Sequence, residues 1–325
     1  MGICTDSFLK KKNRKFAFVF PGQGSQEVGM LSQLYSSYQI VKRIFLESSE
    51  ILGYDLWGII KNNTKNSLHT SSIIQPAILT CSYAIWKVWK YFCNLNPSYM
   101  MGHSLGEYSA LVCSESIDFS TAIKLVRFRG KIMQDFSKKI GFSMFAVIGK
   151  NCQRIMNLYK DYLNSKNIYL TNFNSYDQVV ICGKEKSICI LEEKKIFENF
   201  KFFKIPMNVL SHCKVMKSTS TKLFRFLKKI NFCKPKIPIV SSINKNKIIK
   251  KEEIKKYLTQ QMYKSINWMN MINYLKKRKI KKIFEIGPKN ILTRITKNYL
   301  DKDSLIMPIN SKDSLLKAIM KIKEN

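Results

Sequence analysis

Histidine is scarce in this chain of 325 residues: only His69, His103 and His212 occur, so any imidazole base must be one of these three. Paired cysteines are missing as well. The nine cysteines (Cys4, Cys81, Cys93, Cys113, Cys152, Cys182, Cys189, Cys213 and Cys233) are odd in number and scattered, with no C-x-x-C. That pattern excludes a disulfide framework and a zinc site, and it points to a reducing, cytoplasmic compartment with no metal expected. Cys213 follows His212 directly, but adjacent side chains seldom aim at one point, so a Cys–His pair is not read from it. No apolar run approaches the ~18–20 residues of a membrane span. Met1 to Lys15 holds no apolar signal-peptide stretch, and Thr5-Asp6 breaks a myristoylation motif at Met1-Gly2. Residues 1–14 therefore read as a disordered basic leader. Internal repeats and low-complexity linkers are absent too.

Acidic residues are few, 22 against 56 Lys plus Arg, leaving a formal net charge of +34. Such a charge invites a nucleic-acid reading. The lysines, however, run along the whole chain, and neither an aromatic-interleaved RNP motif nor a helix-turn-helix is present. The densest clusters, Lys245–Lys256 and Lys276–Lys282, contain two glutamates or sit at a helix end. The joint richness in Lys, Asn and Ile fits base-composition drift, so no nucleic acid and no membrane is expected as a partner. A basic surface still attracts an acidic macromolecule.

What is present is a chain 45% hydrophobic, enough for a sizeable core. Phe16–Phe20 is a continuous apolar run and reads as a buried strand, followed by the small-residue loop Pro21-Gly22-Gln23-Gly24-Ser25-Gln26. Gln75-Pro76 is expected to open a long helix to about Cys93, with Pro76 in its first turn. Asp118 should cap a helix running to about Phe136. From 140 to 210 the rhythm changes. Strands are expected at Ser143–Ile148, Ile168–Phe173, Gln178–Cys182 and Phe202–Ile205, with helices over Asn151–Leu163 and Lys184–Asn199. The order βαββαβ is the ferredoxin-like unit. A helix near Val215–Lys229, a strand at Ile237–Ser242, two helical stretches between Lys251 and Lys279, and a strand at Lys282–Ile286 should follow, with helical material closing the chain. The fold class is thus α/β. A hydrolase-like large subdomain with a mostly parallel sheet (15–139 and 211–325) carries an inserted ferredoxin-like small subdomain (140–210).

The chemistry starts at Gly102-His103-Ser104-Leu105-Gly106, a G-x-S-x-G pentapeptide. Ser98-Tyr99-Met100-Met101 leads in as a strand end, and Leu105 to Val112 leads out as a helix. In that setting the glycines permit a sharp turn with the Ser104 hydroxyl at its apex, while the helix start offers free N–H groups to an oxyanion. A serine nucleophile needs a base. His69 lies in the polar stretch Asn62–Ser72 and reads as a surface residue. His103 adjoins Ser104 and should diverge from it, packing or bonding locally. By elimination His212 is the base, the alternative being a buried histidine satisfied by backbone. No Asp or Glu stands out as its partner, and a backbone carbonyl would serve instead. Arg129 falls inside the apolar stripe Ala122, Leu125, Val126, Ile132, Met133, Phe136. A buried guanidinium needs an anion: either an internal Asp or Glu, or the carboxylate of a substrate.

These residues resemble a known family. Phe18-Val19-Phe20-Pro21-Gly22-Gln23-Gly24-Ser25-Gln26 and Gly102-His103-Ser104-Leu105-Gly106-Glu107-Tyr108-Ser109-Ala110-Leu111 are similar to motifs of the bacterial malonyl-CoA:acyl carrier protein transacylases. So are Gln75-Pro76-Ala77, Arg129-Gly130-Lys131, Asn172-Phe173-Asn174-Ser175, Ser211-His212-Cys213 and Phe284-Glu285-Ile286-Gly287-Pro288. The resemblance implies ping-pong acyl transfer in fatty acid synthesis, from the coenzyme A thioester to Ser104 and then to the phosphopantetheine thiol of acyl carrier protein, an acidic partner. It implies His212 as base, the backbone N–H groups of Gln23 and Leu105 for the oxyanion, and Arg129 for the malonyl carboxylate. It also implies the backbone carbonyl of Gln261 as the group orienting His212, with Gln75 and Asn174 lining the cleft. No cofactor is implied, and a monomer is expected. Leu210, Lys264-Ser265 and Lys289 depart from the family pattern without removing a catalytic group. A serine hydrolase acting on small acyl thioesters is the alternative, and a non-enzymatic nucleic-acid binder the third reading.

Overall fold

The computed structural model describes residues 15–206, 209–244 and 248–324, and the side chains of 64–66 are not described. The basic leader expected at 1–14 lies outside these residues. Ten strands occur among them: β1 (Phe16–Phe20), β2 (Tyr99–Gly102), β3 (Ser143–Ile148), β4 (Tyr169–Ser175), β5 (Gln178–Gly183), β6 (Lys201–Lys204), β7 (Ile239–Val240), β8 (Ile266–Asn267), β9 (Lys282–Ile286) and β10 (Leu305–Ile309). No described helix is long and apolar enough to cross a membrane.

The larger sheet has the order β10-β9-β1-β2-β7, and every pairing in it is parallel. β1 is central and buried on both faces, which is why it reads as an unbroken apolar run. Its side chains alternate between two cores. Phe16, Phe18 and Phe20 pack on the side of the Ser71–Phe92 helix, with Phe18 edge-on to Trp86 and Trp89. Ala17 and Val19 face Trp268, Met271 and Leu275 of the Trp268–Lys277 helix. Helices therefore cover both faces of a parallel sheet. Phe20 pairs with Gly102, so the loops after β1 and β2 leave the same end of the sheet side by side. In open parallel sheets ligands bind beyond the carboxyl ends of the strands.

The smaller sheet has the order β6-β3-β5-β4-β8. Its first four strands follow the ferredoxin-like order and are antiparallel, and they enclose a core of their own with Val147, Met156, Ile181, Ile188 and Phe197. β8 joins β4 in parallel and comes from beyond residue 211, so the large subdomain supplies the fifth strand of the small one. Sequence periodicity cannot show a two-residue strand whose only partner lies across the interface.

Several expected elements shift. The long helix starts at Ser71, not at Gln75, which puts Pro76 in its interior, where proline has no N–H for the carbonyl four residues back. The added first turn is held from outside. Ser71 N–H donates to Gln134 Oε1 at 2.9 Å, and the facing helix comes so close that a Cβ on Gly130 would stand 2.4 Å from Ser71 O. The Asp118 cap is present, accepting from Thr121 N–H at 2.8 Å, but the helix continues past Phe136 to Ile140. Asn151–Leu163 divides into Cys152–Leu158 and Lys160–Ser165 at Tyr159. The helix expected to reach Asn199 stops at Glu192, and the strand expected over Ile237–Ser242 shrinks to β7. The chain end is not wholly helical. β10 pairs with β9 as an edge strand, where Pro308 costs no ladder bond, and the Lys312–Lys323 helix follows. Thr64–His69 is a 3-10 helix where a loop was expected.

Candidate active site

The turn from β2 into the Gly106–Cys113 helix carries its strain on Ser104, whose φ is 54°. A non-glycine residue held in the left-handed region costs free energy and marks a position the surroundings dictate. The flanking glycines permit the sharp turn by close approach. A Cβ on Gly102 would stand 1.9 Å from Glu107 N, and one on Gly106 would stand 1.9 Å from Phe20 O. The helix start is thereby pressed against the end of β1. The loop after β1 is equally tight, since a Cβ on Gly22 would stand 2.7 Å from His103 O. In that loop Gly24 N–H donates to Gln26 Oε1 at 2.7 Å and Ser25 N–H to Gly22 O at 3.3 Å. Among the described residues, neither Gln23 N–H nor Leu105 N–H has an acceptor. Two free donors thus flank the serine.

His212, on the return from the small subdomain, is 2% exposed and also takes a positive φ, 61°. Its N–H donates to Met262 O at 2.9 Å, which pins the residue to the end of the Ile254–Gln261 helix. Its Nδ1 lies 2.6 Å from Gln261 O and its Nε2 lies 2.8 Å from Ser104 Oγ. A carbonyl only accepts, so the proton is on Nδ1 and Nε2 is the acceptor for the serine hydroxyl. Burial, and then the nearby Arg129 charge, push the imidazole pKa down to about 3. A neutral base is therefore ready at neutral pH, oriented by a backbone carbonyl.

Arg129 is 1% exposed, at the middle of the buried stripe of the Phe119–Ile140 helix. Its Nη1 donates to Gln75 Oε1 at 2.9 Å, and its Nη2 donates to Ser104 Oγ at 3.1 Å and to Gln261 Oε1 at 3.2 Å. The Tyr108 ring lies 5.2 Å from the guanidinium carbon. All three hydrogen-bond partners are neutral, and no carboxylate pairs with the group directly among the described residues. The internal ion pair left open by the sequence is absent. Buried Glu107 acts on the arginine only through space. A buried cation touching a nucleophile, with neutral partners alone, is short of an anion.

These groups open on a cavity of about 610 Å³ between the two sheets, with Ser104, Arg129 and His212 in its wall. Asn174 also lines it, and His103 Nε2 donates to Asn174 Oδ1 at 3.3 Å. His103 thus bonds locally, and burial pushes its pKa down to about 4. Gln75 departs from its expected place. It is fully buried behind Arg129, off the cavity wall, because the helix that starts at Ser71 turns it inward toward the Phe119–Ile140 helix. His69 is exposed, away from the cavity. Glu107 and Ser242, which sequence reading left without a role, stand directly behind Gln261. The sequence signals for Glu107 were its place three residues after the serine and inside the motif over 102–111. No group of three or more metal-ligating side chains occurs among the described residues.

Residues 17–316 match the family described as acyl transferase domain. The chain is 37% identical over 293 residues to the malonyl CoA-acyl carrier protein transacylase of Escherichia coli (strain K12), covering 88% of this chain and 93% of that one. It superimposes on the malonyl CoA-acyl carrier protein transacylase of Coxiella burnetii with a TM-score of 0.88 at 34% identity, covering 95% of this chain and 98% of that one. A malonyl-transacylase solved in complex with its type II PKS acyl-carrier protein matches with a TM-score of 0.86 at 36% identity, covering 94% and 99%.

Proposed function

Because this chain belongs to the acyl transferase family, among the malonyl CoA-acyl carrier protein transacylases, we propose that Ser104 is the residue that carries the malonyl group. The enzyme moves malonyl from malonyl-CoA to acyl carrier protein in fatty acid synthesis.

The malonyl carboxylate pairs with Arg129, which brings the thioester carbonyl over Ser104. His212 Nε2 takes the Oγ proton as the Oγ–carbon bond forms, and Gln261 O steadies the imidazolium through Nδ1–H. The carbonyl oxygen gathers charge facing the free N–H groups of Gln23 and Leu105. Collapse breaks the carbon–sulfur bond, and the proton passes from His212 to the departing coenzyme A sulfur. In the second half the phosphopantetheine thiol of the carrier protein gives its proton to His212 and attacks the malonyl-serine. The carbon–Oγ bond breaks, and the proton returns to Ser104. We also propose that the enzyme works as a cytoplasmic monomer. Cys81, Cys113, Cys152, Cys182, Cys189, Cys213 and Cys233 are free thiols, which suits a reducing compartment.

The observation that carries this reading is Arg129: buried, without a carboxylate partner among the described residues, its Nη2 3.1 Å from Ser104 Oγ. A hydrolase of simple esters has no use for that cation. The test is intact-mass measurement after mixing the protein with malonyl-CoA. One malonyl group should appear on Ser104 and leave when acyl carrier protein is added. Arg129→Ala should lose malonyl loading by roughly 10- to 100-fold, the worth of charge-assisted hydrogen bonds, while acetyl loading is spared. Equal losses for both acyl groups would mean that Arg129 is structural. Rapid release of malonate to water without a carrier protein would favour the hydrolase.

A further inference from the structure

Gln261 touches all three groups of the site. Its backbone oxygen accepts from His212 Nδ1 at 2.6 Å, its Oε1 accepts from Arg129 Nη2 at 3.2 Å, and its Nε2 donates to Ser104 O at 3.1 Å. The two ends of a carboxamide are nearly the same size, so its direction must be set by neighbours. Reversed, it would aim two N–H donors at the guanidinium and an acceptor at a carbonyl.

Ser104 O and, at 3.4 Å, Ser242 Oγ accept from the nitrogen side, and the charged neighbour there is Glu107, 0% exposed. Its Oε2 accepts from Gln261 Nε2 at 3.1 Å, and also from Ser242 Oγ at 2.6 Å and Ser242 N–H at 3.3 Å. Ser242 thus holds that oxygen in place. The other oxygen, Oε1, is buried with no hydrogen-bond partner among the described residues. Leaving half of a buried carboxyl unsatisfied is costly, and helix packing alone does not require it. Burial also pushes the Glu107 carboxyl up, against the hydrogen bonds from Ser242 and Gln261 and the charge of Arg129.

We propose that Glu107 is a positioning residue. Its pinned Oε2 fixes the direction of the Gln261 carboxamide, so that Oε1 faces Arg129 and holds the guanidinium where a substrate carboxylate meets it. The inference rests on the roles given above to Ser104, His212 and Arg129. It makes the arginine's placement depend on a residue that touches neither substrate nor nucleophile side chain.

Single-turnover loading of Ser104 from malonyl-CoA and from acetyl-CoA, followed by intact mass and normalised to folded protein, tests it. Glu107→Ala should slow malonyl loading by up to about 100-fold, the effect of misplacing a reacting group by about 1 Å, and should slow acetyl loading less. Glu107→Gln can keep an oxygen at the pinned position, with its amide nitrogen toward the unpartnered side, and should retain most of the wild-type rate and acyl preference. In a Gln261→Met background, which keeps the backbone carbonyl for His212, Glu107→Ala should add little further loss. Ser242→Ala should shift the malonyl-to-acetyl ratio in the same direction, and it serves as the test if Glu107→Ala does not fold. The inference is overturned by an unchanged ratio in Glu107→Ala and Ser242→Ala, by Glu107→Gln failing as badly as Glu107→Ala, or by losses from Glu107→Ala and Gln261→Met that simply multiply. If the wild type itself forms no malonyl-serine, the reading of the site fails instead.

Discussion

His212, the proposed base, stays neutral far below the ordinary histidine range. Burial and the Arg129 charge both disfavour its imidazolium, and together they bring its pKa to about 3 from the usual 6.5. The pH profile of kcat/KM for acyl loading reports the free enzyme, so it should run flat through pH 6.5. In Arg129→Ala one depressing charge is gone, and an acid limb should move up toward 6.5. Stopped-flow loading across pH checks this, and a wild-type inflection near 6.5 would contradict it. The same shift bears on stability. Below pH 6.5 the unfolded chain takes up a proton that native His212 refuses, so its contribution to stability declines as pH falls from 6.5 toward 3. At this scale much of the site was legible. Ser104 announced itself by its glycines, His212 by the scarcity of histidine, Arg129 by its place on an apolar stripe. Glu107 was not, because nothing local distinguishes a buried acid from a helix-surface one. Its meaning depends on Ser242 and Gln261, more than 130 residues away.

At the scale of elements, β1, β9 and the Asp118 cap read well, while the start of the Ser71–Phe92 helix and the short strands β7, β8 and β10 did not. β1 coincides with its apolar run and β9 with the strand expected at Lys282–Ile286, and the Asp118 cap needs only local chemistry. The Ser71–Phe92 helix gains its first turn from Gln134 and from the gap beside Gly130, so its true start was invisible from Pro76. β10 was missed because its proline argues against a strand unless the strand is known to lie at an edge. The Ile291–Lys297 helix, which lends Ile291, Leu292, Arg294 and Ile295 to the cavity wall, is held by a similar long-range device. Buried Glu285 on β9 accepts from Leu292 N–H at 3.0 Å, and from Thr293 N–H and Oγ at 2.7 Å each. Glu285→Ala leaves those donors unsatisfied and should cost about 1–3 kcal/mol. Chemical denaturation should register that loss, together with a raised KM for malonyl-CoA as this wall of the cavity loosens. Unchanged stability would mean that the helix needs no anchor.

For the whole molecule, the cavity exists because two sheets face each other, and β8 stitches them together by joining the small sheet from the large subdomain. The net charge of +34 acts at this scale as well. With an acidic carrier protein it should speed encounter, and salt should weaken that effect. Transfer of malonyl to acyl carrier protein should fall about tenfold or more between ~0.05 M and ~0.5 M salt, while transfer to uncharged free pantetheine changes little. Equal salt dependence for both acceptors would remove any role for the charge in steering.

The sequence by itself determined the α/β class, the ferredoxin-like insert, the serine on its turn, its histidine and the buried cation. Each of these is written in periodicity, in local backbone demands or in the rarity of a residue type. The tertiary structure alone decided that Arg129 faces Ser104 with no carboxylate of its own and that Gln75 stands behind the arginine, off the cleft wall. It also decided that the glycines of the elbow serve close approach, and that one residue, Gln261, meets His212 with its backbone carbonyl and Arg129 and the Ser104 backbone with its carboxamide. Those facts depend on contacts between residues up to 157 positions apart, and on which of two similar polar atoms faces a charge. A linear pattern carries no information about either until the chain has folded.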